Sequence, residues 1–299
     1  MTQNGLLLID KPEGPSSAQV VHQVKTTLGA KKVGHLGTLD PFASGLLVLG
    51  INEGTKVADI FLHAPKSYRG VIALGIETDS QDATGTVLEV RNVPPLGEIE
   101  LRSLERRFTG ELQQVPPMFS ALKRNGTRLY RLARQGKEVP REPRAIRIDR
   151  IVLRKLDGPE LEIELDCSRG TYVRTVGSDV GKALGCGAHL KTLRRLACGH
   201  LTVKQAITLA ELEDLASQDK VPLLPLAAAL NHLRAVTWDS LWLSRLRSGQ
   251  QEILNQIGKP LGGERVLRIL DRQGHIAALV EWQDTVPSGR WRLGKIFHG

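Results

Sequence analysis

The sequence predicts an α+β fold with a mixed or antiparallel sheet. Segments with strand-like alternation and segments with helical periodicity follow one another irregularly along the 299 residues, unlike the regular order of a doubly wound parallel sheet. The composition, 41% hydrophobic and 24% charged, is typical of a folded globular protein. A chain of this length buries about three quarters of its unfolded surface, so we expect a core that needs no disulfide bonds.

The first elements are a strand and a helix. An apolar run predicts a strand at residues 6–9. A helix is predicted from Ser17, because the capping-box pair Ser16 and Gln19 precedes a valine- and leucine-rich face. The run at 45–50 is a short buried strand or a helix end, since periodicity does not decide between the two.

The middle of the chain alternates further. Period-two patterns predict strands at 68–74, 86–90, 147–154 and 161–165. Amphipathic patterns predict helices at 98–108, 128–135 and 171–184, the second of them ending at Gly136.

The residue pattern of the sequence changes after residue 207. A short helix is predicted at 209–216, and a hairpin is predicted from strands at 265–270 and 275–282, with a third strand at 291–296. We therefore divide the chain into a first domain, residues 1–235, and a small β-rich module, residues 236–299. A module of about 60 residues is near the lower limit for independent stability, so we expect it to pack on the first domain.

The chain shows no sign of export or membrane insertion. No apolar run approaches the ~18 residues of a spanning helix, and the N-terminal segment has no basic region before its short apolar stretch. Three cysteines are too few for a disulfide framework and fit a reducing compartment. We expect a cytoplasmic protein with no membrane partner.

The positive charge is concentrated in one segment. The formal net charge is +9 and the sequence pI is near 9.6. Residues 123–155 contain 12 Lys and Arg against 3 Asp and Glu, which accounts for the whole excess. A local basic segment is typical of a protein that binds a polyanion, usually nucleic acid, although a solvated surface segment is the alternative interpretation.

Familiar cofactor and metal motifs fail on spacing. The segment 50–56 is one residue short of a phosphate-binding loop, and its lysine is not followed by Ser or Thr. Two thiols and two imidazoles fall within 15 residues, at Cys186, His189, Cys198 and His200, but the second pair is too tight for usual structural zinc sites. We expect buried cysteines, no metal and no cofactor, and keep a metal-dependent hydrolase at these residues as an alternative.

One loop combines flexible backbone with a single carboxylate. In residues 34–45 three glycines flank Asp40, and Pro41 favours an extended conformation at Asp40. A carboxylate presented in this way is a candidate nucleophile or general base, and an ordinary Asp-Pro turn is the structural alternative.

This loop resembles the catalytic motif of the TruB family of pseudouridine synthases, G-H-x-G-x-L-D-P-x-A-x-G-x-L. Six further segments, in the family's order, are similar to its other motifs. They are DKPEGPSS at 10–17, KSY at 66–68, LGIETDSQDATG at 74–85, PMFSALK at 117–123, CSRGTYVRT at 167–175 and LRR at 193–195. The resemblance covers residues 5 to about 215.

The resemblance implies roles for several residues. Asp40 is the essential carboxylate, Arg174 pairs with it, and Tyr68 stacks on the target base and assists deprotonation. The implied RNA- or substrate-binding residues are Lys11, Pro12, His35, Lys123, Arg124, Arg128, Tyr172 and Leu193. Among these, Lys11 and Pro12 support the catalytic loop, and Leu193 forms an apolar wall of the uracil pocket.

The resemblance also implies the fold and the substrate. We expect the pseudouridine synthase fold with a small PUA-like C-terminal module, which the tail resembles only loosely. The implied reaction converts uridine 55 of the tRNA T loop to pseudouridine after base flipping, with no cofactor, in a monomer that grips the T-stem-loop through its basic insertion, residues 123–155. The alternatives are a tRNA-binding folding protein and a structural RNA- or ribosome-binding protein without an active site.

Overall fold

The computed structural model describes residues 3–120, 122–124, 126–133, 135–284 and 289–298. The first half of the chain forms β1 (Gly5–Lys11), α1 (Ser17–Leu28), β2 (Val33–His35), β3 (Ser44–Ile51), α2 (Ala58–His63), β4 (Lys66–Leu74), β5 (Ile76–Thr78), β6 (Val87–Val90), α3 (Glu98–Arg107), β7 (Gly110–Gln114), β8 (Lys123–Arg124), β9 (Thr127–Arg128) and α4 (Leu129–Ala133). The second half forms β10 (Arg144–Lys155), β11 (Glu160–Cys167), α5 (Val173–Ala183), β12 (Ala188–Cys198), β13 (Leu201–Thr202), α6 (Leu209–Ser217), α7 (Leu226–Ala229), β14 (Ala235–Thr237), α8 (Ser240–Arg247), β15 (Val266–Leu270), β16 (Ile276–Gln283) and β17 (Arg290–Ile296).

A large mixed sheet organises the first part of the chain. Its strands follow the order β1-β3-β12-β4-β11-β10-β7, with β2 added to β3 and β13 added to β12. Neighbouring strands are antiparallel except for β12 and β3, which run parallel. The predicted α+β class with a mixed sheet is therefore confirmed.

Most predicted elements form, with adjusted bounds. The capping box of α1 is present, with the Gln19 amide donating to Ser16 Oγ at 3.3 Å and Gln19 Oε1 accepting from the Ser16 amide at 2.8 Å. The ambiguous run at 45–50 is part of strand β3. The helix predicted at 128–135 is shorter and spans Leu129–Ala133. Strand β12, at the centre of the sheet, was not predicted.

Apolar residues cover both faces of the large sheet. One core lies under α1, α5 and α3 and includes Val24, Leu101 and Val180. The opposite face of β1 and β3 packs against α2, α7 and the C-terminal strands, where Leu6 and Phe297 belong to the same apolar cluster. This contact joins the four-stranded sheet β14-β15-β16-β17 to the large sheet.

Among the residues described, the helices are all too short or too polar to cross a lipid bilayer.

Candidate active site

Asp40 lies in the loop between β2 and β3, which hydrogen bonds hold on two sides. The Ser17 hydroxyl lies 2.8 Å from both the amide nitrogen and the carbonyl oxygen of Leu39. The Gly14 amide donates to Pro41 O at 2.8 Å, and the Ala43 amide donates to Asp40 O at 3.1 Å. The loop is therefore fixed on either side of Asp40, while the Asp40 side chain remains 38% exposed.

Arg174, in the first turn of α5, contacts the Asp40 carboxylate. Its Nε lies 2.9 Å from Asp40 Oδ2, and its side chain is only 4% exposed. The other guanidinium nitrogens donate to Ser80 O and Phe119 O, each at 2.8 Å. Three chain segments therefore fix the guanidinium, which in turn fixes the direction of the carboxylate.

A second carboxylate supports the same arginine. Asp82 Oδ2 lies 3.5 Å from Arg174 Nη1, and the Asp82 side chain is 6% exposed. Its other oxygen accepts from Ser80 Oγ at 2.7 Å, and from the Thr84 amide and hydroxyl at 2.9 and 2.6 Å. Because this carboxylate is buried and accepts from several donors, it serves to orient Arg174, whereas the partly exposed carboxylate of Asp40 can meet a ligand.

Lys11, which is fully buried, joins the end of β1 to the loop. Its ammonium donates to the carbonyl oxygens of Pro12, Pro15 and Pro41 at 2.6, 2.9 and 3.3 Å. Burial lowers the pKa of Lys11 to about 8, although Glu13 and Asp40 oppose this change. These contacts make Lys11 a support of the loop, and Pro12 takes part through its carbonyl group.

Arg195 is a central residue of the site that the sequence analysis did not select. It is 2% exposed and donates from Nε to Leu46 O at 2.7 Å, from Nη2 to Gly37 O at 3.1 Å and from Nη1 to Thr38 O at 3.3 Å. These bonds attach both ends of the Asp40 loop to β12. The adjacent Arg194 faces the other way and forms a bidentate pair with Asp10, at 2.9 and 2.6 Å.

Gly45 lets β3 approach β12 beneath this arginine. Its φ is +98°, and a Cβ there would lie 2.3 Å from the carbonyl oxygen of Arg195. A side chain is therefore excluded for two independent reasons, conformation and space. The glycine-rich character of the loop has a structural cause at this position.

Tyr68 and His35 are both neighbours of Arg195. Tyr68 lies opposite Arg195 in the β4–β12 register, and burial raises the pKa of its phenol to about 12. Burial and the charge of Arg195 lower the pKa of His35, whose Nδ1 is buried without a hydrogen-bond partner among the described residues. At neutral pH Tyr68 is therefore a neutral phenol and His35 a neutral imidazole.

The remaining predicted pocket residues flank the same loop. Leu193 is 6% exposed and lies on β12, where its carbonyl oxygen is 3.5 Å from Ser44 Oγ. Tyr172 immediately precedes α5, and burial raises the pKa of its phenol, with the Arg174 charge acting in the opposite direction. The structure thus gathers Asp40, Arg174 and their predicted neighbours around one loop.

The basic segment divides into two parts with different electrostatic surroundings. On β10, Arg150 lies 3.2 Å from Glu164, and Arg154 lies 2.9 Å from Glu162. These carboxylates are on β11, the adjacent strand, so they neutralise much of the positive charge of β10. Hydrogen bonds from arginines, first that of Arg69, lower the pKa of Glu164.

The other part, from β8 to α4, lacks such carboxylates. Arg124 and Arg128 are exposed and form no salt bridge with another described residue, and Arg124 donates to Pro140 O. The side chain of Lys123 and all of Arg134 lie outside the described residues. Arg124 and Arg128 are therefore cationic side chains that no described carboxylate neutralises.

The four residues of the alternative metal site do not form one cluster. Cys186 precedes β12 and Cys198 ends it, so an 11-residue strand separates the two thiols. His189 Nδ1 lies 3.0 Å from Ile76 O, and His200 stacks on His232 with ring centroids 4.8 Å apart. The donors are held apart by the extended strand, so they do not fit a shared metal ion.

Comparison with known proteins places these motifs in one family. Residues 25–173 match the model of the TruB family pseudouridylate synthase N-terminal domain, and residues 174–235 match that of the tRNA pseudouridylate synthase B C-terminal domain. The tRNA pseudouridine synthase B of Geobacter sulfurreducens is 42% identical over 284 residues, covering 93% of each chain. That of Syntrophobacter fumaroxidans is 42% identical over 300 residues, covering 97% of each chain.

Solved structures show the same architecture. A chain of the Cbf5-Nop10-Gar1 complex superposes with a TM-score of 0.73 at 24% identity, covering 98% of this chain and 85% of that one. At this level of identity the likeness concerns the fold, which is the predicted one.

Proposed function

This chain belongs to the TruB family of pseudouridylate synthases, and from that premise we propose that it isomerises a uridine of tRNA to pseudouridine. The observation that carries the proposal is the contact between Asp40 and Arg174: a partly exposed carboxylate oriented by a buried guanidinium at 2.9 Å. The site lies at the surface, where a base turned out of an RNA loop could reach it.

The reaction rearranges atoms within one nucleotide. The N1–C1′ bond breaks, the uracil turns, and a C5–C1′ bond forms; the proton of C5 leaves and N1 ends the reaction protonated. No net oxidation or reduction occurs, so the chain's own residues suffice. Asp40 supplies the essential carboxylate, which attacks C1′ or C6 of uracil, or takes a proton from the ribose.

Two neighbours hold the detached base. With a pKa raised to about 12, Tyr68 is protonated at neutral pH, so it acts first as a ring that stacks on uracil and as a hydrogen-bond donor. Leu193 provides an apolar wall beside the loop. A dry pocket keeps the free uracil close to C1′ until the new bond forms.

We assign the substrate uridine to position 55 in the T loop. A base in a folded loop is stacked, and flipping it out costs a few kcal/mol. Phosphate contacts from Lys123, Arg124 and Arg128 offset this cost. The imidazole of His35, whose Nδ1 has no hydrogen-bond partner among the described residues, meets the RNA where the base leaves the stack. All of these residues lie in one chain, so the site needs no second copy, and we propose that the enzyme works as a monomer in the cytoplasm.

The test is the release of tritium from 5-tritiated uridine in a T-stem-loop RNA. We expect release by the wild type and a loss of about 10²- to 10⁴-fold in Asp40→Asn, with RNA binding retained. Asp157→Asn, an exposed carboxylate in the β10–β11 turn, is the matched control and should behave as the wild type. RNA binding without tritium release by the wild type would instead favour a tRNA-folding protein.

A further inference from the structure

Gln114 is a buried polar residue that the reaction scheme above does not use. It is the last residue of β7, the edge strand of the large sheet, and it is 4% exposed. Such burial of an amide costs free energy unless its donors and acceptors are matched. Its partners therefore indicate what the residue does.

Both ends of the amide bond to the backbone of one residue, Tyr172. Gln114 Nε2 donates to Tyr172 O at 3.1 Å, and the Tyr172 amide donates to Gln114 Oε1 at 2.8 Å. Tyr172 is the N-cap residue of α5 and its own side chain makes no capping hydrogen bond. The amide of a residue 58 positions earlier in the chain therefore fixes where α5 begins.

The start of α5 controls the position of the guanidinium at Asp40. Arg174 is two residues beyond Tyr172, and its Nη2 donates to Phe119 O at 2.8 Å. The segment 114–120 thus contacts the first turn of α5 twice, through the Gln114 side chain and through the Phe119 carbonyl. A shift of Tyr172 along the helix axis would move Arg174 relative to Asp40.

The same segment leads into the basic insertion. The Tyr130 amide donates to Ser120 O at 3.1 Å, and Arg141 Nη1 donates to Pro116 O at 3.1 Å. Hydrogen bonds therefore link the insertion to the strand end that holds α5. These bonds accept at backbone oxygens of Ser120 and Pro116, so they do not depend on the Gln114 side chain.

We infer that Gln114 is a positioning residue for the isomerisation. Its side-chain amide fixes the position of Tyr172 at the start of α5, and α5 in turn places Arg174 against Asp40. The inference rests on the proposed function. Because Gln114 is buried, it does not meet RNA, so its loss acts on the chemical rate and leaves RNA affinity unchanged. A misplacement of about 1 Å at a reacting group can lower a rate about 100-fold.

A protonatable isostere gives a test that general loss of stability would not mimic. In Gln114→Glu the ionised carboxylate still accepts from the Tyr172 amide but repels Tyr172 O. Once protonated, the carboxyl group donates to that oxygen and restores both bonds. Burial raises the pKa of the introduced carboxyl above the ordinary Glu range, which brings its protonation toward neutral pH.

The experiment measures single-turnover tritium release at saturating enzyme from pH 5.5 to 8.5, and separately the Kd for the T-stem-loop RNA. We expect Gln114→Glu to be about 10- to 100-fold slower than the wild type at pH 8.5 and to approach it within about threefold at pH 5.5, at unchanged Kd. Gln114→Leu, which can make neither bond, should be slow at every pH. Gln113→Glu, on the exposed side of the same strand, is the matched control and should follow the wild type.

Two outcomes would overturn the inference: a ratio of Gln114→Glu to wild type that does not change with pH, or a loss confined to Kd. Measuring Asp40→Asn and the wild type in the same assay distinguishes a failure of the proposed function from a failure of the inference about Gln114. Should the wild type itself release no tritium, the proposed function fails, whereas an active wild type with a pH-independent ratio removes only the role of Gln114.

Discussion

Replacing Arg174 by lysine most directly tests the hydrogen bonds and ion pairs that hold the site together. The guanidinium serves four acceptors from three nitrogens: Asp40 at 2.9 Å, Ser80 O and Phe119 O at 2.8 Å, and Asp82 at 3.5 Å. A lysine ammonium is a single point and cannot span acceptors that surround a planar group. At least two of them lose their donor in Arg174→Lys.

The magnitude follows from burial. Each buried acceptor left without a donor costs about 1 to 3 kcal/mol, so the loss of two donors should lower the free energy of unfolding by about 2 to 6 kcal/mol. Asp40 loses its orienting contact at the same time, and a misplaced reacting group lowers the rate by about 100-fold. Stability and rate should therefore fall together although the positive charge is conserved.

Urea unfolding and single-turnover tritium release measure the two effects. Arg102→Lys is the matched control, because Arg102 is 70% exposed and pairs with Glu98 on the surface of α3. It should lose less than about 1 kcal/mol and no activity. The planar guanidinium is not required if the free energy of unfolding of Arg174→Lys lies within about 1 kcal/mol of the wild-type value and its rate lies within about threefold. That result would contradict the role assigned to Arg174.

Three further predictions use other parts of the structure. Gly45→Ala should lower the free energy of unfolding by about 2 to 5 kcal/mol in urea titrations, because φ is +98° and the new Cβ would lie 2.3 Å from Arg195 O; a loss below 1 kcal/mol would contradict this. The pKa of Lys11 is about 8 in the folded protein and 10.5 in the unfolded chain. Between these pH values the unfolded state holds more of the proton, so the free energy of unfolding rises with pH. The advantage of the wild type over Lys11→Met should grow by roughly 3 kcal/mol from pH 7.5 to 10.5, and an unchanged difference would refute it. In salt titrations of RNA binding, Arg128→Gln should reduce the slope of log K against log salt concentration by about 1. Arg154→Gln loses only its salt bridges to Glu162 and Glu164, so it should leave the slope unchanged. Equal slopes for the two variants would be evidence against a divided basic segment.

Local patterns in the sequence predicted those elements whose signals are local. The capping box of α1 and the alternation in β11 depend on residues that are close in sequence, and both form as expected. Strand β12 was missed because its pattern is interrupted by two bulges and by charged residues. The burial of Arg195 could not be predicted, because an arginine is usually exposed. Only the tertiary structure supplies the three carbonyl groups that make its burial possible.

The candidate site divides in the same way. Resemblance to a family selected Asp40 and Arg174, and the structure brings them to 2.9 Å. Their supports, the carbonyl groups of Ser80 and Phe119 and the amide of Gln114, could not be selected, because backbone carbonyls carry no residue-type signal. A side chain such as Gln114 is recognised only when the chain that it bonds to is known to lie beside it.

For a related reason, counting charges along the chain does not show which of them are already paired in the fold. Every second residue of β10 faces the same side of the sheet, and there Arg150 and Arg154 stand beside the acidic residues of β11. A one-dimensional count assigns the arginines to a basic block and the carboxylates to a different segment, although strand pairing places them in contact. Because counterion release depends on charges that are free to meet phosphates, we expect Arg124 and Arg128, which pair with no described carboxylate, to contribute more to RNA affinity than Arg150 and Arg154 do.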